Sequence, residues 1–178
     1  MRTLINLLVI LLFCSITQLF AKNALASQYL YLVNQIIPDK KDVAVFMSKD
    51  LVDKEKIKLE RAAATFGLNI TIYLIDSQRT IGESLKKLDD NCSLIVYETP
   101  VLEEKSSKMF IISKCKEKGV PIISASEEYA KAGAFIGIIV DDKFKISQLF
   151  VNLQNHGDLA PKFTEEFSLA LGVTNLIK

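Results

Sequence analysis

The sequence predicts a three-layer αβα sandwich built on a parallel sheet of about five strands. Three observations carry that prediction. Short β-branched runs alternate with longer amphipathic stretches, and the cycle repeats along most of the chain. The β-branched runs are apolar enough to be covered on both faces, as in a sheet flanked by helices. No internal repeat, low-complexity tract or Pro/Gly-rich linker divides the chain, so the cycle belongs to one domain.

The elements follow in order. Gln28 to Ile37 reads as a short helix, stopped by Pro38 and the turn Asp39-Lys40-Lys41. Asp42 to Met47 is the first strand. Ser48 or Asp50 caps the next helix, in which Leu59, Ala62, Ala63 and Phe66 form a core-facing stripe and Gly67 supplies the C-terminal stop. Asn69 to Ile75 is the second strand. Ser77 and Thr80 lead a helix with Ile81, Leu85 and Leu88 on its apolar side. Ser93 to Tyr97 is the third strand, and Glu98-Thr99-Pro100 ends it. A helix then carries Met109, Ile112 and Cys115 to Gly119. Val120 to Ile123 is the fourth strand, followed by a short helix capped by Ser124 or Ser126 that ends before Gly133. Ala134 to Val140 is the fifth strand, and a helix from Lys143 to Leu153 is expected next. Phe163 to Lys178 suits a short amphipathic helix stopped at Gly172, with an apolar tail. Right-handed crossovers leave few topologies for such a string, and the flavodoxin-like one is the expectation.

The first residues predict export. Arg2 precedes the apolar run Leu4 to Phe13, and Ala24-Leu25-Ala26 offers the small residues that a signal peptidase reads. The reading is a signal peptide over 1–26, cleaved after Ala26, and a single α/β domain over 27–178 placed in the periplasm. An uncleaved anchor is the alternative, although Ser15, Thr17 and Gln18 interrupt the roughly 20 continuous apolar residues that a span needs. A lipoprotein reading at Cys14 meets the bulky Phe13 in front of it. The whole chain carries 22 Lys plus Arg against 21 Asp plus Glu, and losing Arg2 and Lys22 leaves the remainder slightly acidic. No strong field directs it to nucleic acid.

In a parallel sheet, ligands bind beyond the carboxyl ends of the strands. That rule selects Ser48, Lys49 and Asp50, Asp76 and Ser77, Glu98 and Thr99, and Ser124, Ala125 and Ser126. Catalytic patterns are missing. The single histidine, His156, sits in the polar stretch Asn155 to Asp158 and reads as a solvated loop residue. There is no Gly-x-Ser-x-Gly elbow, no phosphate loop and no dinucleotide fingerprint. Two cysteines beyond Cys14 and one distant histidine do not make a zinc site. The expectation is a binding protein without catalytic residues, metal or cofactor. Cys92 opens the third strand and Cys115 ends the helix feeding the fourth. Both fall at the edge opposite the ligand side, where they form either a disulfide or two buried thiols.

Four stretches carry a family resemblance. They are Gln35 to Val45, Glu60 to Leu68, Lys118 to Ile123 with Glu128 to Ala134, and Gly157 to Lys162. In that order they resemble the substrate-binding proteins of ABC transporters, of the tryptophan and tyrosine type. The resemblance implies one lobe of a periplasmic binding protein that holds a small, amino-acid-like organic ligand for uptake or sensing. It carries ligand contacts to Ser48, Glu98, Thr99, Ser124 and Ser126, and it implies an ABC permease or a membrane sensor as partner. Members of this kind have two lobes, and this chain has room for one, so a homodimer would complete the cleft. The layout of leader plus one domain also resembles the small periplasmic inhibitors of the YfiR-like family. That likeness implies a protein-interaction or regulatory module with no solute.

Overall fold

The computed structural model describes residues 23–177. The predicted leader through residue 22, with Cys14, lies outside them. The elements run α1 (Ala26–Ile36), β1 (Asp42–Met47), α2 (Lys49–Phe66), β2 (Asn69–Leu74), α3 (Gln78–Leu85), β3 (Cys92–Val96), α4 (Pro100–Glu103), α5 (Lys105–Lys118), β4 (Ile122–Ser124), α6 (Glu127–Lys131), β5 (Ile136–Val140) and β6 (Ile146–Asn152). A 3-10 turn (Ala160–Lys162), α7 (Glu165–Leu171) and β7 (Asn175–Ile177) complete the chain. The sheet order is β2-β1-β3-β4-β5-β6-β7. The first five strands are mutually parallel, β6 is antiparallel to β5, and β7 is parallel to β6.

The predicted βα cycle is therefore present, in the predicted three-layer form. Side chains alternate across each strand. Val43, Val45, Met47, Ile95, Ile123, Ile136 and Ile138 join one core with α1, α2 and Phe163. Ala44, Phe46, Leu94, Val96 and Ile122 join the other with α3, α5 and Tyr129. Helices α2 and α5 end in left-handed glycines, Gly67 and Gly119, as their sequence positions suggested. Among the described residues, no helix is long and apolar enough to cross a membrane.

Several expectations are corrected. The sheet has seven strands, because the segment expected as a helix from Lys143 to Leu153 forms β6 and the C-terminal tail adds β7. The hairpin before β6 explains the first change. The Asp141 carboxylate accepts from the Lys143 and Lys145 amides at 2.8 and 2.9 Å, and Phe144 turns the chain with a φ of 57°. Reversed in this way, the chain returns alongside β5 and pairs with it. Met109 is half exposed, because α5 buries Ser107, Ile111, Ile112 and Cys115 instead. Of the two alternatives left open for Cys92 and Cys115, the structure has the two free, buried thiols. Burial, and then the neighbouring Cys92, pushes the Cys115 thiol up to about 12. The Cys92 thiol donates to the Asp89 carbonyl at 3.1 Å. His156 is half-buried, not a freely solvated loop residue. Its ring lies 4.7 Å from that of Phe135, and burial lowers its pKa below the usual histidine value.

Candidate functional site

Strand order reverses between β1 and β3, since β2 lies outside β1 while β4 and β5 continue beyond β3. In an open α/β sheet this switch makes a crevice at the carboxyl ends of the strands. The crevice is bounded by the residues that follow β1 and β3, Ser48 to Asp50 and Tyr97 to Thr99, while Ala125 and Ser126 follow β4 one strand further along the same edge.

A cavity of about 240 Å³ opens at this edge, lined by Glu98, Ala125, Ser126, Glu127, Glu128, Ile139 and Val140. Its back wall depends on a close approach. A side chain at Gly137 would meet the Ala130 Cβ at 2.9 Å and the Ser126 carbonyl oxygen at 3.0 Å. Glycine there lets α6 sit directly on β5 and brings Ser126 beside Ile139 and Val140.

Glu98 is the unusual group of the cavity. Its carboxylate oxygen Oε2 is buried and has no hydrogen-bond partner. Burial raises its pKa to about 7, the nearby Glu103 carboxylate adds to the rise, and Lys108 opposes it. Lys108 reaches this spot from α5. Its ammonium lies 3.3 Å from Glu103 and 5.2 Å from the centre of the Tyr129 ring. The Tyr129 hydroxyl donates to the Leu102 carbonyl at 2.6 Å and pins α6 to α4. The main chain of Glu98 is held separately: its N–H donates to the Asn23 side-chain oxygen at 2.7 Å, and its carbonyl accepts from the Asn23 amide at 3.4 Å.

Across the sheet, Tyr97 packs against Tyr29 with ring centres 5.1 Å apart. Burial raises the pKa of both phenols. The field of Glu55 adds to the shift at Tyr97, and those of Tyr97 and Glu98 add to it at Tyr29. The Tyr97 hydroxyl has no hydrogen-bond partner.

The structure brings together two of the five residues expected to contact a ligand, Glu98 and Ser126. Ser124 ends β4 beneath them, fully buried, with an unpartnered hydroxyl. Thr99 is committed to capping, since its hydroxyl accepts from the Leu102 amide at 3.3 Å. Ser48 ends β1 as the cap residue of α2 and hydrogen-bonds Asp50, holding that carboxyl below its usual range. Neither residue lines the cavity. Sequence reasoning missed Asn23, Glu103, Lys108 and Tyr129. Asn23 lies inside the segment read as a leader, and the Lys108–Glu103 pair depends on the break between α4 and α5 at Glu104. Glu127 and Glu128 come directly after the strand-end residues, in the first turn of α6.

Chemically, the cavity presents three carboxyl groups and an apolar wall, with no cation among its lining residues. Glu127 is partly balanced by Lys131 at 2.6 Å. Such a surface accepts hydrogen bonds from an amine or ammonium group. Among the described residues no group of three or more His, Cys, Asp or Glu is placed to hold a metal ion.

Comparison with solved structures gives the same architecture in several proteins. A domain from Streptococcus pneumoniae, solved in complex with L-Trp, superposes with a TM-score of 0.67 at 14% identity, covering 85% of this chain and 60% of that one. A conserved domain protein from Vibrio cholerae superposes with a TM-score of 0.67 at 16% identity, over 86% of this chain and 60% of its own. The ligand-free, open form of a substrate-binding protein with adhesive properties from Clostridium difficile gives 0.58 at 15% identity, over 84% and 58%. The chain thus spans about 60% of the length of these proteins. A comparison with curated proteins yields no match. The sequence itself matches the family described as ABC transporter substrate binding protein over residues 16–153. Proteins of that family bind small molecules, work with ABC transporters, and typically act outside the cytoplasm. On that match the chain belongs to the ABC transporter substrate-binding protein family.

Proposed function

We propose that this protein holds a small, amine-bearing organic ligand of amino-acid type at the ends of β3 and β4, and that binding serves ABC-type uptake or sensing. The observation that carries the reading is Glu98, a carboxyl group half-buried beside an apolar wall with one oxygen unpartnered. An incoming ammonium would supply the missing hydrogen bond and the opposite charge. Ser126 borders the same cavity, Ser124 lies beneath it, and Ser48 and Thr99 stand on neighbouring strand ends. The protein does this as a binding protein without catalytic chemistry, in the periplasm, after removal of a leader over residues 1–26. Cleavage there would also remove Asn23 from Glu98 and Ala24 and Ala26 from the core they now enter. Intact mass of the exported chain decides the cleavage site. A second copy of the lobe completes the cleft, and an ABC permease or a membrane sensor receives the loaded form.

The pH dependence of binding tests the reading. A carboxyl group with a pKa of about 7 becomes anionic as pH rises through neutrality. L-Tryptophan and L-tyrosine, titrated by calorimetry between pH 5.5 and pH 8, should therefore bind more tightly at the higher pH, by roughly tenfold. Glu98→Gln should flatten that dependence. Binding that is insensitive to pH, or unchanged by Glu98→Gln, would remove Glu98 from the site.

One observation favours a second reading, a protein-interaction module of the YfiR-like kind. The cavity, at about 240 Å³, is smaller than the roughly 300 Å³ from which small-molecule sites usually begin. A protein that stays monomeric and unliganded in native mass spectrometry, after exposure to amino acids and a metabolite extract, would favour this module.

A further inference from the structure

A larger cavity lies on the other flank of α5. It measures about 360 Å³ and is lined by Gln78, Arg79, Ile81, Ser106, Ser107 and Phe110, none of which borders the Glu98 cavity. The volume falls within the range of small-molecule sites.

Its floor and walls are mixed. Ile81 is fully buried and Phe110 is partly exposed, so an apolar body can rest between them. Ser107 lines the cavity at 2% exposure, and its hydroxyl has no hydrogen-bond partner. An orphaned hydroxyl at this depth costs roughly 1–3 kcal/mol unless something satisfies it. The rim is polar and held in place. The Gln78 amide donates to Ser106 Oγ at 3.0 Å and to Glu104 at 3.2 Å, tying the first turn of α3 to that of α5. Arg79 is steadied by Glu83 at 2.8 Å and remains largely in solvent.

Two helix starts converge here, one of 8 residues and one of 14. Helix α5 begins at Glu104 with no side-chain cap hydrogen bond, which leaves its first N–H groups open to a ligand. The α3 start is already capped by Ser77 with the Asp76 carboxylate beside it, and Gln78 holds the Glu104 carboxylate by a hydrogen bond. The open start of α5 and the guanidinium are therefore what favour an anion, while Ile81 and Phe110 favour a carbon skeleton. This is the reverse of the Glu98 cavity, whose lining is acidic.

We propose that the cavity between α3 and α5 is a second small-molecule site, selective for a carboxylate carried on an apolar body about the size of one ring. The carboxylate faces Arg79 and the start of α5, the ring lies between Ile81 and Phe110, and the Ser107 hydroxyl hydrogen-bonds the ligand from the floor.

Phenylacetate and phenethylamine make a matched pair of probes, equal in ring and opposite in charge. Titrated into the ¹⁵N-labelled protein at millimolar concentration, phenylacetate should give saturable amide shifts at Gln78, Ser106, Ser107 and Phe110. Phenethylamine should leave those amides in place. Arg79→Gln, at a surface position, should weaken phenylacetate by about fivefold, and Ser107→Ala by a smaller factor. The same spectra report whether each variant is folded. Absence of saturable shifts, an equal response to the amine, or full affinity in Arg79→Gln would each overturn the assignment.

Discussion

The two ends of the sheet are built from the same βα turns and are finished differently. At the amino end, lysines tie the loop carbonyls together. Lys40 donates to the carbonyls of Asp90 and Gly119, Lys118 to those of Leu88 and Lys86, and Lys162 to that of Ile36. At the carboxyl end, buried polar atoms are left over. Tyr97 Oη, Glu98 Oε2, Glu103 Oε1, Ser107 Oγ and Ser124 Oγ have no hydrogen-bond partner. Tyr29 Oη, against Tyr97, belongs with them, while Ser93 near the start of β3 and Ser168 in α7 are exceptions to the division. Buried polar groups are ordinarily satisfied, so a concentration of unsatisfied ones marks where a fold has been arranged for something besides its own stability. The amino end holds the sheet closed, and the carboxyl end keeps hydrogen-bonding capacity in reserve.

The largest expected effect comes from filling the space that joins α6 to the sheet. Gly137→Val would drive a side chain into Ala130 and the Ser126 carbonyl, and should cost about 1–3 kcal/mol in denaturant unfolding. It should also abolish ligand binding at Glu98, because the back wall moves. Retention of full stability would show that α6 is not seated as described.

At the opposite end, Lys118→Met should cost about 1 kcal/mol by removing the donor shared by Leu88 and Lys86. Binding at the carboxyl end should not change. A loss of binding in this variant would break the division between a structural end and a functional one.

The smallest effect has the opposite sign. The folded-state pKa of Glu98 is raised, so between about pH 4.5 and pH 7 the folded protein holds a proton that the unfolded chain releases. Stability from this group is therefore lost as pH rises through that window. Glu98→Gln should leave stability nearly unchanged at pH 4 and raise it at pH 8. After allowing for the solvent that reaches the carboxyl group, the gain is on the order of 1 kcal/mol. Thermal melts at the two pH values check it. A variant that destabilises equally at both would mean that Glu98 supports the fold and is not held in reserve for a ligand.

Some of the site could be read in advance from local rules. Glu98 and Ser126 follow strands whose β-branched runs are unmistakable, and the rule of the carboxyl edge selects them without any contact information. Asn23, Glu103, Lys108 and Tyr129 could not be found in that way. Asn23 meets Glu98 across 75 positions, and the Lys108–Tyr129 stack depends on how α5 lies against α6.

The fate of the segment around Ile146 to Leu153 shows the same limit. Ile146, Leu149, Phe150 and Leu153 are spaced as one helical face, while Leu149, Val151 and Leu153 are spaced equally well as one side of a strand. The sequence alone therefore decided the repeated βα units, because buried parallel strands and capped amphipathic helices leave strong periodic and stop signals within a few residues. Tertiary structure decided the antiparallel β6, the pairing of β7, and the acidic character of the Glu98 cavity. Each of those is set by which partner lies across a gap, through a hydrogen bond, a charge or a missing side chain on another element, and local periodicity carries no record of that partner.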